Sequence, residues 1–302
     1  MALPYDVAMT SDAPQTEPHL NHVQCLGARG LHRMAYWEWG DSANPRVLVC
    51  VHGLARQARD FDTLARALSA DYRVVCPDVV GRGRSDWLAD PAGYQIPAYV
   101  ADMVTLLARL DAQTVHWVGT SMGGLIGLGL ASLPQSPVER LVLNDVGPTI
   151  QFKALQRIGS YIGQPLRWNT VDEAAEYLLS ISAGFGPHSR EQWLALTRPM
   201  LKADGDGFVL HYDPAIALPF KAITPEIAAA GEAMTWAAFN AIRCPTLVLR
   251  GAESDVLARD TAQSMMQRGP KARLHEFAGV GHAPTLVADD QIAVVREFLL
   301  GP

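Results

Sequence analysis

The sequence predicts an α/β fold with a mainly parallel sheet, and three observations lead there. Short apolar runs of strand length recur along the chain, and helix-periodic segments alternate with them. One run, Thr114 to Val118, leads straight into Gly119-Thr120-Ser121-Met122-Gly123. Alternation of this kind is the pattern of neighbouring strands whose crossover helices cover the sheet. With 302 residues, 49% of them hydrophobic and 19% charged, the chain is long enough for one large core carrying an insertion.

Taken in order, His22 to Gly27 and His32 to Trp39 alternate around Gly27-Ala28-Arg29-Gly30, as an antiparallel hairpin does. Continuous apolar runs follow at Arg46 to Val51, Tyr72 to Pro77, Thr114 to Val118, Arg140 to Asn144, Thr246 to Arg250 and Arg273 to Phe277. They read as buried parallel strands and bring the sheet to eight. Helical periodicity occupies Asp60 to Ser69, Ile96 to Leu110, Met122 to Leu133, Asp260 to Gln267 and Asp290 to Leu300. Between about Pro148 and Ile242 the alternation stops. Helical patterns run there from Ala154 to Ile162, Val171 to Ile181 and Arg190 to Leu201, with a Gly/Asp turn at Ala203 to Gly207. A stretch of that length is no ordinary loop. The expected organisation is a core of residues 21–147 and 243–302, a helical cap of 148–242 inserted after the sixth strand, and a flexible tail of 1–20.

Composition excludes several classes. A net charge of −6 without any Lys/Arg cluster argues against nucleic acid or an anionic membrane as partner. No apolar run reaches about 18 residues, so no membrane-spanning helix is expected. The first twenty residues lack the basic and apolar regions of a secretory signal. Cys25, Cys50, Cys76 and Cys244 are widely spaced with no CxxC pair, which fits core thiols in a reducing cytoplasm. Neither a metal nor an organic cofactor is expected.

The chemistry starts at Ser121. Gly-x-Ser-x-Gly between an apolar strand and a helix makes a sharp turn that exposes the serine hydroxyl, and glycines relieve its crowding. The Met122 N–H then lies at a helix N-terminus, where it can hold a developing oxyanion. Serine needs a base oriented by a carboxylate. His282, in Ala278-Gly279-Val280-Gly281-His282-Ala283-Pro284, follows the last apolar strand and opens on the same sheet edge. For the carboxylate, Asp255 is favoured because it follows the seventh strand and gives the order Ser, Asp, His. Asp145, directly after the sixth strand, is the second candidate, and Glu253 a remote third. A second oxyanion donor is expected from the Leu54 N–H, in the loop His52-Gly53-Leu54 after the third strand. His52 itself reads as scaffold for that loop.

His52-Gly53, Pro77-Asp78-Val79-Val80-Gly81-Arg82-Gly83-Arg84-Ser85, Gly119-Thr120-Ser121-Met122-Gly123 and Gly281-His282 stand in the order seen in the α/β-hydrolase superfamily. From about residue 22 to its C-terminus the chain resembles that superfamily, with the cap as the variable part. The resemblance implies Ser121 as nucleophile, His282 as base, Asp255 as acid, and Leu54 and Met122 amides as oxyanion donors. It implies an architectural role for Asp78 to Ser85. Related dehalogenases and epoxide hydrolases carry Asp where Ser121 stands, which sets them aside. Carbon–carbon bond hydrolases usually carry Trp after the base, where this chain has Ala283.

The expected activity is hydrolysis of a small-molecule carboxylic ester through an acyl-enzyme. Carbon–carbon bond cleavage or lactone hydrolysis by the same triad is the alternative, and a non-catalytic small-molecule binder the alternative of another class. Arg56, two residues past Leu54, suggests an ester or oligoester that bears a carboxylate. Its competing role is to pair with Asp60 or Asp62 and fix the loop. The cap aromatics Trp168, Phe185, Trp193, Phe208, Tyr212, Phe220 and Trp236 are candidates for lining a pocket. Oligomeric state is not written in the chain.

Overall fold

The computed structural model describes residues 17–112 and 114–302. Eight strands form the main sheet: β1 (His19–Gly27), β2 (Gly30–Trp39), β3 (Arg46–Val51), β4 (Arg73–Pro77), β5 (Thr114–Thr120), β6 (Val138–Asn144), then β10 (Thr246–Gly251) and β11 (Arg273–Phe277). Their spatial order is β1-β2-β4-β3-β5-β6-β10-β11. Pairing is antiparallel from β1 to β4 and parallel throughout the rest. The predicted α/β architecture is present. The tail expected over 1–20 falls mainly outside the described residues, and its last two positions, His19 and Leu20, already belong to β1.

Strand alternation explains why the parallel runs are apolar throughout. Val47, Val49 and Val51 of β3 join one core, whereas Leu48 and Cys50 point into the other. The first core is filled by Met103 and Leu106 of α2 (Ile96–Leu110) and Ile126 of α3 (Met122–Ala131). Leu64 and Leu68 of α1 (Asp62–Leu68) fill the second. α9 (Arg259–Gln267) and α10 (Asp289–Leu300) complete the covering helices. Each fully buried Val or Leu contributes about 1.5–3 kcal/mol, so a run buried on both sides stabilises the sheet twice over. The parallel direction has one consequence for function: Val51, Thr120, Asn144 and Gly251 all end on the same edge.

The insertion between β6 and β10 is mixed rather than purely helical. It contains α4 (Phe152–Tyr161), α5 (Val171–Ile181), α6 (Arg190–Thr197), α7 (Ala217–Lys221) and α8 (Pro225–Ala241). It also contains a small antiparallel sheet of β7 (Arg167–Trp168), β8 (Leu201–Asp204) and β9 (Gly207–Leu210). The Gly/Asp turn read from the sequence is the tip of the β8–β9 hairpin. α8 escaped sequence reading because its Ala-rich run has small apolar residues on every side and no polar stripe. Its start follows capping logic, with the Thr224 side chain accepting from the Ile227 N–H and Pro225 in the first turn.

Backbone bonds stitch the insertion to the core. Gly83 N–H donates to His211 O at 2.9 Å, and Asp213 N–H donates to Gly81 O at 2.7 Å. Asp78, wholly buried, accepts from Ala58 N–H at 2.8 Å and Arg84 N–H at 2.9 Å, so the Asp78 to Ser85 loop has an architectural centre. A Cβ on Gly83 would sit 2.3 Å from that carboxyl carbon, at φ +52°, which accounts for the glycine. Among the described residues no helix is long and apolar enough to cross a membrane.

Candidate active site

Ser121 stands between β5 and α3 with φ 51° and ψ −114°, a conformation that costs a non-glycine residue roughly 1–3 kcal/mol. The surrounding glycines make it possible. A Cβ on Gly119 would lie 2.2 Å from Gly123 O, and one on Gly123 would lie 2.0 Å from Val51 O. Ser121 N–H donates to Asn144 O at 2.9 Å, which ties the turn to the neighbouring strand end.

His282 reaches this turn from the loop after β11. Its Nε2 is 3.0 Å from Ser121 Oγ, and its Nδ1 is 2.7 Å from Asp145 Oδ2. Because a carboxylate only accepts, Nδ1 carries the proton and Nε2 is left to accept from the serine hydroxyl. Asp145 is completely buried. Its Oδ1 accepts from Gly251 N–H at 2.9 Å, and its Oδ2 also accepts from Ser254 Oγ at 2.6 Å.

The acid partner is therefore a correction. Asp255, favoured from sequence, does not contact His282. It lies four residues past Gly251, its side chain 49% exposed, and forms a two-pronged pair with Arg157 at 2.7 and 2.9 Å. The loop after β10 contributes a hydroxyl, Ser254, rather than a carboxylate. β6 neighbours both β5 and β10, so a residue just past its end lies beneath an imidazole arriving from β11. A side chain farther along the next loop has already turned outward.

His52 has the scaffold role expected of it. Its Nδ1–H donates to Gly53 O at 2.7 Å, and its Nε2 accepts from Val79 N–H at 3.0 Å. Burial lowers its pKa to about 3, with the Arg82 and Arg56 charges acting the same way, so the ring stays neutral. Leu54 lines the same cavity as Ser121, and Met122 opens α3. Among the described residues, neither backbone N–H donates to a protein acceptor. Arg82, which sequence reading did not single out, is wholly buried and holds this loop, its Nε donating to Leu54 O at 2.9 Å. Asn144 is a second unread contributor, its Nδ2 donating to Thr120 Oγ1 at 2.9 Å and to Pro284 O at 2.8 Å.

Arg56 lines the cavity, but its guanidinium is committed to Asp60 at 2.6 and 2.7 Å and lies over the Phe185 ring at 5.7 Å. The loop-fixing role, not the carboxylate-binding one, describes its position. Of the aromatics singled out from the sequence, Phe185 and Tyr212 line the cavity, and Tyr161 and Tyr177, which were not, line it as well. Trp193 belongs to the cap's own core, its Nε1–H donating to Ala175 O at 2.8 Å. A separate cavity of about 330 Å³ near His188 and Glu276 reaches neither Ser121 nor His282. Cys25, His32 and Asp102 cluster elsewhere, where the His32–Asp102 bond of 3.0 Å pins the opening hairpin to α2.

Residues 48–296 match the profile of the Alpha/beta hydrolase family. The chain belongs to the α/β hydrolase family. This α/β hydrolase is 57% identical over 288 residues to the 3-hydroxybutyrate-oligomer hydrolase of Cupriavidus necator, covering 94% of this chain and 98% of that protein. Among solved α/β hydrolase structures, one from Novosphingobium aromaticivorans has a TM-score of 0.82 at 35% identity, covering 94% of this chain and 99% of its own. A putative hydrolase from Rickettsia typhi has a TM-score of 0.85 at 30% identity, covering 95% of this chain and 100% of its own.

Proposed function

We propose that this α/β hydrolase cleaves carboxylic esters through an acyl-enzyme on Ser121, with His282 as base and Asp145 as the carboxylate that orients it. The carrying observation is the imidazole bonded to Ser121 Oγ on one side and to a buried carboxylate on the other. Ser121 attacks the ester carbonyl as His282 Nε2 takes its proton. The Leu54 and Met122 N–H groups stabilise the tetrahedral oxyanion, each contributing about 3 kcal/mol. The imidazolium then protonates the leaving alcohol, and a water repeats the cycle on the acyl group. These steps draw only on this chain, the ester and water.

An oligoester of a small hydroxy acid is the proposed substrate. Support comes from the relative that is 57% identical over nearly its whole length and is named for hydrolysing 3-hydroxybutyrate oligomers. It also comes from the cavity: Ile158, Ile162 and Leu178 give it apolar walls, and no acidic side chain lines it among the described residues. The four free cysteines suit a reducing, cytoplasmic setting.

Ser121→Ala tests the reading. Turnover of a p-nitrophenyl ester and labelling by a fluorophosphonate should both vanish while circular dichroism and Tm stay at wild-type values. A folded variant that keeps most of its rate overturns the proposal, and so does a wild-type protein that the probe leaves unlabelled.

A further inference from the structure

Two arginines line the cavity that holds Ser121, and they differ in what restrains them. Arg56 is largely buried, with its Asp60 partner at its side and Leu196 O 3.4 Å from its Nη2. Arg157 projects from α4, 43% exposed, and its partner Asp255 is more exposed still. The pair is two-pronged but about half exposed on both sides, so solvent and a second carboxylate can reach the guanidinium and compete for it. The guanidinium fork matches any carboxylate in two-pronged geometry. Among the described residues no acidic side chain lines the cavity itself, and the carboxylates that pair with its two arginines, Asp60 and Asp255, stand behind them.

We propose that Arg157 is the specificity-determining residue that receives the free terminal carboxylate of the ester substrate, giving up Asp255 as it does so. The inference rests on the ester-hydrolase reading and deepens it. It moves the carboxylate-recognising role from the loop after β3 to α4 of the insertion. Asp255 becomes the resident competitor: it occupies the guanidinium until a substrate carboxylate replaces it. A ligand whose terminus is neutral gains nothing from the exchange.

The experiment compares a hydroxy-acid dimer ester bearing a free carboxylate with its terminal amide, which keeps the shape and loses the charge. The measured quantity is the ratio of kcat/KM for acid over amide in wild type, Arg157→Gln and Asp255→Asn. Arg157→Gln should lower the ratio roughly ten- to hundredfold, mainly through KM for the acid, as expected for a lost charge-assisted pair. Asp255→Asn should raise it several-fold, because the competitor is gone. The opposite signs separate recognition from any general damage to the fold. A ratio within twofold of wild type in Arg157→Gln overturns the proposal, as does an Asp255→Asn ratio that stays level or falls. Wild-type protein that cleaves neither compound defeats the ester reading itself, whereas cleavage with an unmoved ratio defeats only the arginine's role.

Discussion

Asp145 and Asp255 follow neighbouring strands, β6 and β10, on the same edge of the sheet, yet they inhabit opposite environments. Asp145 is sealed from solvent and receives hydrogen bonds from Gly251 N–H, Ser254 Oγ and His282 Nδ1. Asp255 is half exposed and shares its charge with one guanidinium. The difference teaches that a carboxylate's part in a triad is set by what surrounds it. Position in the chain order is a weaker guide. A buried carboxylate with three donors keeps one orientation, and only such a group can hold an imidazole in one tautomer.

The largest effect that tests this contrast is Asp145→Asn, which should lower kcat on a p-nitrophenyl ester by roughly 10⁴-fold through loss of the correct tautomer. Asp255→Asn should leave that kcat within twofold. Equal losses in the two variants would erase the distinction. A finer test is Ser254→Ala, which removes one donor from Asp145 and should cost about tenfold in kcat. Ser254→Thr keeps the hydroxyl and should recover most of the rate; failure to do so would point to backbone disturbance instead.

The smallest effect concerns stability and extends the contrast to other buried groups. Burial lowers the pKa of His52 to about 3 and of His116 and His211 to about 4. Below pH 6.5 the unfolded chain binds protons that the folded chain refuses, so stability is lost as the pH falls toward those values. Burial raises Asp78 to about 6, which acts in the opposite sense, removing stability as the pH rises from the ordinary carboxylate range through 6. Burial raises Asp60 and Asp102 in the same sense as Asp78, but their loss of stability begins lower, in the ordinary carboxylate range, whereas the three histidines lose theirs between pH 7 and 5, which predicts a lower Tm at pH 5 than at pH 7. His116→Asn should flatten that dependence, and a Tm independent of pH across this range would contradict the assignment.

Most of the scaffold was legible because strand and helix leave periodic marks. The Ile96 to Leu110 and Val171 to Ile181 helices coincide with their predicted spans. Ser121 was legible because glycines flank it on both sides, and His282 because Gly279 and Gly281 precede it; such glycines advertise a backbone that must pass close to something. Asp145 was read as a secondary candidate since nothing local distinguishes it from a turn residue. Its burial depends on β10 arriving beside β6, a long-range fact. Arg82 and Ser254 were illegible for the same reason: each works through a partner far along the chain, Leu54 O and Asp145. α8 was missed because small, evenly apolar residues carry no phase, whereas of the β8–β9 hairpin only the Gly/Asp turn was legible, its four-residue strands being too short to show a period.

Gly251, Gly281 and Gly184 bring together the end of β10, the His282 loop and the insertion. A Cβ on Gly251 would strike Gly281 O at 2.1 Å, and Gly281 N–H donates to Gly184 O at 2.5 Å. The proton carrier is thus clasped from below by the sheet and from above by the lid. The loop that carries the imidazole is therefore fixed by two separate parts of the chain, so its position depends on the insertion as well as on the sheet.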